Sequence, residues 1–380
     1  MSTSGPHRRR SDARDREHMA EALELAANGL YDTKPNPAVG CVLVKGGRVI
    51  ARGWTAPAGG PHAERVALAA AGAQARGATA YVTLEPCCHQ GRTPPCTGAL
   101  IEAQVARVVF AGHDPNPLVD GGGARELTAA GVEVEGGVLE REAEPLNRGF
   151  FARMRRGRPW VRLKIAASLD GRTALASGES QWITGPESRA DVHRWRARSG
   201  AVLTGSGTVL RDDPSLDARH EEAGIDATLG IKQPLRVILD SRLRTPPSAK
   251  TLSLPGEVLI FTTRVADEAQ RVLERAGARV ERVGGGEHCD LNEVLARLAA
   301  LEVNDVWVEA GARIDGAFLQ AGLIDELIVY MAPRLLGDGA RGMFAVPALA
   351  ALADAWRLTF EEVSTIGDDV RVVARVLTSG

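Results

Sequence analysis

Thr83-Leu-Glu-Pro-Cys-Cys-His-Gln-Gly-Arg-Thr-Pro-Pro-Cys96, read with Pro61-His-Ala-Glu64 upstream of it, decides the fold of the first half of this chain. One imidazole, His62, and two thiols, Cys87 and Cys96, supply three of the four positions that tetrahedral zinc takes. A fourth position left for water marks a catalytic site rather than a structural one. Glu64 stands two residues from His62, is not counted among the ligands, and is placed to carry a proton. Cys87 follows a strand end and Cys96 opens a helix, where the helix dipole favours a thiolate. Cys88 and His89 complicate the ligand choice; Cys87 is taken as the ligand because it follows Glu85-Pro86, and Cys88 is read as a neighbouring thiol. The plain alternative is that these cysteines are small buried hydrophobes, as Cys41 and Cys289 are read. His-x-Glu together with two Pro-Cys units favours the metal.

Around these residues the pattern is that of an α/β layer. A helical periodicity from Glu17 ends near Gly29, and Val39–Val44 reads as a buried strand. A helix over Ala63–Ala75, a strand at Ala80–Leu84, a helix over Cys96–Ala103 and a strand at Val108–Ala111 follow. A helix at Glu126–Ala130 and a strand at Val132–Val134 complete the unit. Such alternation predicts βαβ units and a largely parallel sheet.

At 380 residues the chain exceeds the usual single-domain length, so two cores are expected. Residues 1–16 carry Arg8-Arg-Arg10 among acids and no apolar run, and are expected to be a disordered tail without a secretion signal. Residues 17–150 are expected to form the zinc domain. Residues 151–159, basic and aperiodic, are read as a linker, and residues 160–380 as a second α/β domain. Its expected strands are Trp160–Ala166, Ala201–Thr204, Leu235–Leu239, Val258–Phe261, Asp305–Glu309 and Glu326–Met331. A net charge of −2 offers no field for a phosphate backbone, so no nucleic-acid partner is expected. No apolar run is long enough to cross a bilayer, so no membrane partner is expected. Five cysteines, odd in number, suit a reducing cytoplasm better than a disulfide framework.

The His-x-Glu and Pro-Cys units resemble the signature of zinc base deaminases, except that eight residues rather than two separate Cys87 from Cys96. With Thr33-Lys-Pro-Asn-Pro-Ala-Val-Gly-Cys-Val-Leu-Val44 and Asp114-Pro-Asn-Pro117 added, the segment resembles the bacterial bifunctional diaminohydroxyphosphoribosylaminopyrimidine deaminase/5-amino-6-(5-phosphoribosylamino)uracil reductase family. The long cysteine spacing is normal in that family, and Cys88 falls where it often has serine. The second half carries the resemblance through Lys164-Ile-Ala-Ala-Ser-Leu-Asp-Gly-Arg-Thr173, Ser177-Gly-Glu-Ser-Gln-Trp-Ile-Thr184, Asp212-Asp-Pro-Ser-Leu216, Val308-Glu-Ala-Gly311 and Asp325-Glu-Leu-Ile-Val-Tyr330.

The resemblance implies a cytidine-deaminase-like zinc domain followed by a dihydrofolate-reductase-like domain. It implies Zn2+ and NADPH as cofactors, a phosphoribosyl pyrimidine as small-molecule substrate, and a homo-oligomer, expected to be a dimer. It assigns Ala166, Trp182, Thr208, Asp212, Ser241 and the run Gly311, Ala312, Arg313, Ile314, Asp315, Gly316 and Ala317 to NADPH. Asn36, Ser180, Arg196, Leu216, Arg219 and Glu309 go to the substrate. The residue types suit these roles, since forked guanidinium donors at Arg196 and Arg219 match a phosphate and Glu309 can accept from sugar hydroxyls. Arg242 and Arg244 are candidates for a 2′-phosphate. Read without the resemblance, each arginine could equally be a surface ion pair, and no Rossmann glycine fingerprint is present. The rival readings are a stand-alone zinc nucleobase deaminase with a non-reductase second half and a non-catalytic zinc scaffold.

Overall fold

The computed structural model describes residues 13–377 apart from Arg92, Ala227, Leu229 and Ala266, and the chain divides into two compact units, Met1–Arg155 and Arg156–Gly380. The first unit runs α1 (Ala13–Ala27), β1 (Gly40–Lys45), β2 (Arg48–Trp54), α2 (Ala63–Ala71), β3 (Thr79–Leu84), α3 (Cys96–Glu102), β4 (Arg107–Gly112), α4 (Gly122–Ala129), β5 (Glu133–Gly136) and α5 (Glu140–Arg156). Its sheet has the order β2-β1-β3-β4-β5, with β3, β4 and β5 parallel and β1 antiparallel to both neighbours. The expected parallel sheet is therefore mixed. The half-exposed strand β2 closes a tight β1–β2 hairpin at Gly46-Gly47, both at positive φ. Helices cover both faces: Ala63, Ala67, Leu100 and Leu127 pack against Leu43, Val82 and Val108 on one, and Met19 and Ala22 against Val42, Tyr81 and Val109 on the other.

Two expectations about segment ends are corrected. Residues 13–16, assigned to a disordered tail, lie in α1; residues 1–12 of that tail lie outside the described residues. The cause is Asp15, which is buried and accepts from Tyr81 Oη at 2.8 Å and bidentately from Arg107 at 2.8 and 3.0 Å. Of the supposed linker 151–159, residues 151–156 are the last turns of α5. Phe150, Phe151 and Ala152 are buried there, and the Arg155 guanidinium lies 5.2 Å above the Phe151 ring, so the arginines line the outer face of a packed helix. Pro145 and a non-helical Asn147 interrupt the helix and obscure its periodicity.

The second unit runs β6 (Trp160–Ser168), β7 (Arg172–Ala174), α6 (Pro186–Arg198), β8 (Ala201–Gly205), α7 (Ser206–Asp212), α8 (His220–Ala223), β9 (Leu235–Leu239), α9 (Lys250–Ser253), β10 (Val258–Thr262), α10 (Glu268–Arg275), β11 (Ala278–Arg282), α11 (Leu291–Ala300), β12 (Asp305–Val308), α12 (Ala312–Gln320), β13 (Glu326–Ala332), β14 (Arg341–Gly342), β15 (Leu358–Ile366) and β16 (Asp369–Val376). A nine-stranded sheet has the order β11-β10-β9-β8-β12-β6-β13-β16-β15; it is parallel from β11 to β13 and ends in an antiparallel hairpin. The parallel strands are buried on both faces, which is why six of them read as short continuous apolar runs. Arg162 spans this core from β6, bonded to Asp305 at 2.5 Å and Glu326 at 2.6 Å.

Candidate functional site

His62 stands at the N-cap of α2, Cys87 in the loop leaving β3, and Cys96 at the first position of α3. The Cys87 carbonyl accepts from the amides of Cys96 at 3.0 Å and Thr97 at 3.2 Å, which folds the long inter-cysteine loop back on itself. His62 Nδ1 then lies 3.6 Å from Cys87 Sγ and 3.5 Å from Cys96 Sγ, and the three donor atoms fall within 4.8 Å of one another. A tetrahedral zinc with bonds of about 2.05 Å to nitrogen and about 2.3 Å to sulfur has N···S edges of about 3.6 Å, so this donor set fits the ion. Thr93 Oγ1 lies 3.2 Å from His62 Nε2 and can accept its proton, leaving the Nδ1 lone pair for the metal. Thr93 was missed in the sequence, where nothing marks a loop threonine as a partner of an imidazole.

Hydrogen bonds from Cys96 and then His62 hold the Cys87 thiol down to about 4, against the opposing effect of burial. The bond of Cys96 to the Cys87 thiolate, then burial, pushes Cys96 up, and the separate bond between His62 and Cys87 raises His62. Glu64, in the first turn of α2, is 4% exposed; burial, then the Cys87 charge, raises its carboxyl above the ordinary range, as suits a proton carrier. Cys88 turns away: its Sγ lies 3.7 Å from the Leu118 carbonyl, and burial, then the Glu126 charge, keeps it a thiol. Zinc content should therefore be lost in Cys87→Ser and kept in Cys88→Ser when the purified proteins are analysed for metal. The opposite pattern would move the ligand to Cys88. Asn36 is half-buried, and its amide donates to the Thr33 carbonyl at 2.9 Å, closing a turn.

In the second unit Arg196 on α6 and Glu309 just after β12 meet as a bidentate pair, at 2.6 Å through Nε and 2.8 Å through Nη2. Trp307 Nε1 adds a bond of 2.7 Å to Glu309. Burial alone would raise Glu309, but the Arg196 charge and hydrogen bonds, then Lys164 and Trp307, hold it down to about 2. Arg196 Nη1 also reaches the Asp217 carbonyl at 3.2 Å, and Arg219 Nε lies 3.6 Å from the Asp217 carboxylate, so the two arginines converge on Asp217. Arg219 further contacts Glu222 and lies 3.1 Å from His193 Nε2. Arg196 and Glu309, expected to face the substrate as separate donor and acceptor, thus face each other, with two guanidinium hydrogens of Arg196 to spare.

The remaining candidates surround the C-terminal ends of these strands. Leu216 is buried beside Val192, Trp307 and Tyr330 at a φ of 57°, so only its backbone is offered to a ligand. Ala166 and Ser180 are half-buried; Trp182 is 62% exposed, with the Arg189 guanidinium 4.9 Å from its ring. Thr208 and Asp212 lie on α7, and Arg242 and Arg244 are exposed. Ser241 Oγ accepts from the Cys289 amide at 3.2 Å. Gly311 is the exposed N-cap of α12, which no side chain caps, an arrangement that fits a pyrophosphate. Of the residues that follow, Ala312 and Ile314 are half-buried, Arg313 and Ala317 exposed, and Asp315 and Gly316 buried.

Lys164, which sequence reading left without a role, faces Glu309, Arg196 and Asp315; burial lowers its ammonium despite the two acids. Burial pushes Asp315 up to about 8, only partly opposed by Lys164, and its Oδ1 has no hydrogen-bond partner. A carboxyl whose folded value lies above its unfolded 3.8 keeps a proton that the unfolded chain releases, so stability falls as pH rises from about 4 to about 8. Asp315→Asn removes that slope: its melting midpoint should match the wild type near pH 4 and exceed it by about 10 °C or more at pH 8. Parallel pH curves for the two proteins in calorimetry would refute the assignment.

Comparison with known proteins agrees with both halves. Residues 12–112 match the cytidine and deoxycytidylate deaminase zinc-binding region, and residues 159–372 match the RibD C-terminal domain. The riboflavin biosynthesis protein RibD of Escherichia coli K12 is 49% identical over 94% of this chain and 98% of its own length. That of Mycobacterium tuberculosis is 42% identical over 92% and 95%. Among solved structures, Acinetobacter baumannii RibD superposes with a TM-score of 0.88 at 48% identity, covering 96% of this chain and 99% of its own. A diaminohydroxyphosphoribosylaminopyrimidine deaminase/5-amino-6-(5-phosphoribosylamino)uracil reductase from Thermotoga maritima superposes with a TM-score of 0.83 at 34% identity and the same coverage. The reductase-half match sets aside a deaminase joined to an unrelated second domain, and with agreement along nearly the whole of both lengths the chain belongs to the RibD family of bifunctional deaminase/reductases.

Proposed function

We propose that this enzyme deaminates 2,5-diamino-6-(5-phosphoribosylamino)pyrimidin-4-one and then reduces the ribosyl group of 5-amino-6-(5-phosphoribosylamino)uracil to ribityl with NADPH. The observation that carries the first half is the cluster of His62, Cys87 and Cys96 beside the buried carboxyl of Glu64. His62, Cys87 and Cys96 would hold zinc, which when bound would supply an acidified water at neutral pH. Glu64 takes a proton from the attacking water and delivers it towards the ring and the departing amine, so water is consumed and ammonia released. Its burial excludes bulk solvent and keeps its proton affinity high enough for both transfers. Asn36, on its turn, is the proposed substrate contact.

For the reductase half we assign NADPH to Ala166, Trp182, Thr208, Asp212, Ser241 and residues 311–317, and the phosphoribosyl substrate to Ser180, Arg196, Leu216, Arg219 and Glu309. NADPH, when bound there, would supply the hydride. Arg196 and Arg219 provide cationic donors for a phosphate, and Glu309 is kept ionised to accept from sugar hydroxyls. The enzyme is proposed to work in the cytoplasm, where the free cysteines stay reduced, and as a homodimer, for which exposed Phe360 and Val363 on the edge strand β15 offer apolar surface. The test is an assay of ammonia release on the diaminopyrimidine, followed by NADPH oxidation on the deaminated product. Ammonia release without NADPH oxidation would leave only the deaminase half standing.

A further inference from the structure

Glu85 is the residue that leaves β3 two positions before Cys87, and its side chain is 0% exposed. A carboxylate so deeply buried must be compensated. Its partners are backbone amides of one segment: Oε2 accepts from Asp114 at 3.4 Å and Gly121 at 3.2 Å, and Oε1 accepts from Ala124 at 3.0 Å. His113 Nδ1 lies 3.4 Å from Oε2. The Glu85 amide in turn donates to Gly112 at 2.9 Å, so residues 112–124 are tied to this one position. The first turn of α4 is pressed onto the ligand segment: a Cβ on Gly123 would meet the Pro86 carbonyl at 2.0 Å, and one on Gly122 would meet Cys88 Sγ at 2.8 Å. Glycine is required there by close approach.

The segment held in this way carries Asp114, which is 6% exposed and whose Oδ1 accepts from the Asn116 amide at 2.8 Å. Burial, then the charges of Glu85 and Cys87, pushes the Asp114 carboxyl up to about 7. The same segment receives the Cys88 thiol at the Leu118 carbonyl. We propose that Glu85 is a positioning residue of the deaminase site, which by accepting the amides of Asp114, Gly121 and Ala124 fixes the loop 112–124 against Pro86 and Cys88, the residues flanking Cys87. Glu85 acts through that loop and touches neither metal nor substrate. The inference rests on the deaminase reading above.

Glu85→Gln replaces an acceptor oxygen by a donor while keeping the volume. Zinc content and NADPH oxidation on the deaminated substrate are expected to stay at the wild-type level. Ammonia release should lose about 10- to 100-fold in kcat/KM, well below the melting temperature, as expected for a displaced site group. Amide exchange over residues 113–124 should accelerate about tenfold or more. Glu85→Asp, which keeps the acceptor on a shorter arm, should recover part of both. Unchanged exchange and unchanged kcat/KM in Glu85→Gln would overturn the inference, as would loss of zinc in step with activity. Should Glu85→Gln fail to fold, the wild-type enzyme decides: amides of Asp114, Gly121 and Ala124 that exchange like an open loop are incompatible with the tether. A wild type that releases no ammonia fails the deaminase reading itself, whereas a wild type that does, matched by Glu85→Gln, fails only this inference.

Discussion

Glu64→Ala is expected to reduce ammonia release by about 10²- to 10⁴-fold, the range typical of losing a general acid/base, while the protein keeps its zinc. Glu64 is separate from the three donor atoms that cluster within 4.8 Å, so the ligand set survives the change. Nor should the fold suffer, since burial raises the Glu64 carboxyl and an alanine in the first turn of α2 removes an unfavourable buried charge. Reduction of separately supplied deaminated substrate should continue, because every residue assigned to that chemistry lies between 166 and 317, within the second compact unit. Ammonia release, NADPH oxidation and zinc content measured on the same preparation decide the matter. A folded Glu64→Ala enzyme that no longer oxidises NADPH on the deaminated substrate would mean that the two chemistries share a site.

Arg196→Ala should disable the reductase and also destabilise the second unit, by about 3–5 kcal/mol, because it leaves the buried Glu309 charge with only Trp307 and the nearby Lys164 to offset it. The side chains of this pair are only 12% and 14% exposed, and Arg196 supplies two of the three side-chain hydrogen bonds that Glu309 receives. The sign of the pH dependence follows from Glu309 being held down to about 2 against an ordinary 4.5. A depressed carboxyl stabilises the fold fully above its unfolded value and loses that contribution as pH falls towards the folded one. The gap between wild type and Arg196→Ala should therefore be constant near neutrality and narrow below about pH 4.5. Removing both charges, as Arg196→Met with Glu309→Leu, should restore most of the stability and none of the reductase activity. Urea unfolding at neutral and acid pH, with both activities assayed, measures all of this. An Arg196→Ala enzyme with unchanged stability would place the pair in solvent, and one with an unchanged KM in the reductase assay would remove Arg196 from the substrate site.

Strands buried on both faces were readable as apolar runs, so β1, β3, β4, β6, β8, β9, β10, β12 and β13 were all anticipated within a few residues. Strands left unread, such as β2 and β15, have an outward face that meets solvent, although the partly exposed β5 was read at Val132–Val134. β2 alternates weakly around Arg48 and Arg52, and β15 exposes Leu358, Phe360 and Val363, so neither carries a continuous signal. Helix ends failed for another reason. The start of α1 depends on Asp15 finding Arg107 on β4, and the end of α5 on Phe150 and Phe151 finding the first core, and neither partner is near in the chain.

His62, Cys87 and Cys96, with Glu64 beside them, were legible in the sequence as a candidate site, because the donor atoms a metal takes are set by residue identity and their spacing is a property of the chain. That Cys87 rather than Cys88 joins the cluster was settled only by the direction in which the loop after β3 turns its side chains, since adjacent residues point apart. Arg196 and Glu309 were each legible as charged candidates, but that they face one another is a tertiary fact. They are 113 positions apart, and only the parallel pairing of β8 with β12 brings the end of α6 beside the residue that follows Val308. Sequence carries chemical type and short-range period; partners chosen across a sheet depend on register and side-chain direction, which exist only once the chain is folded.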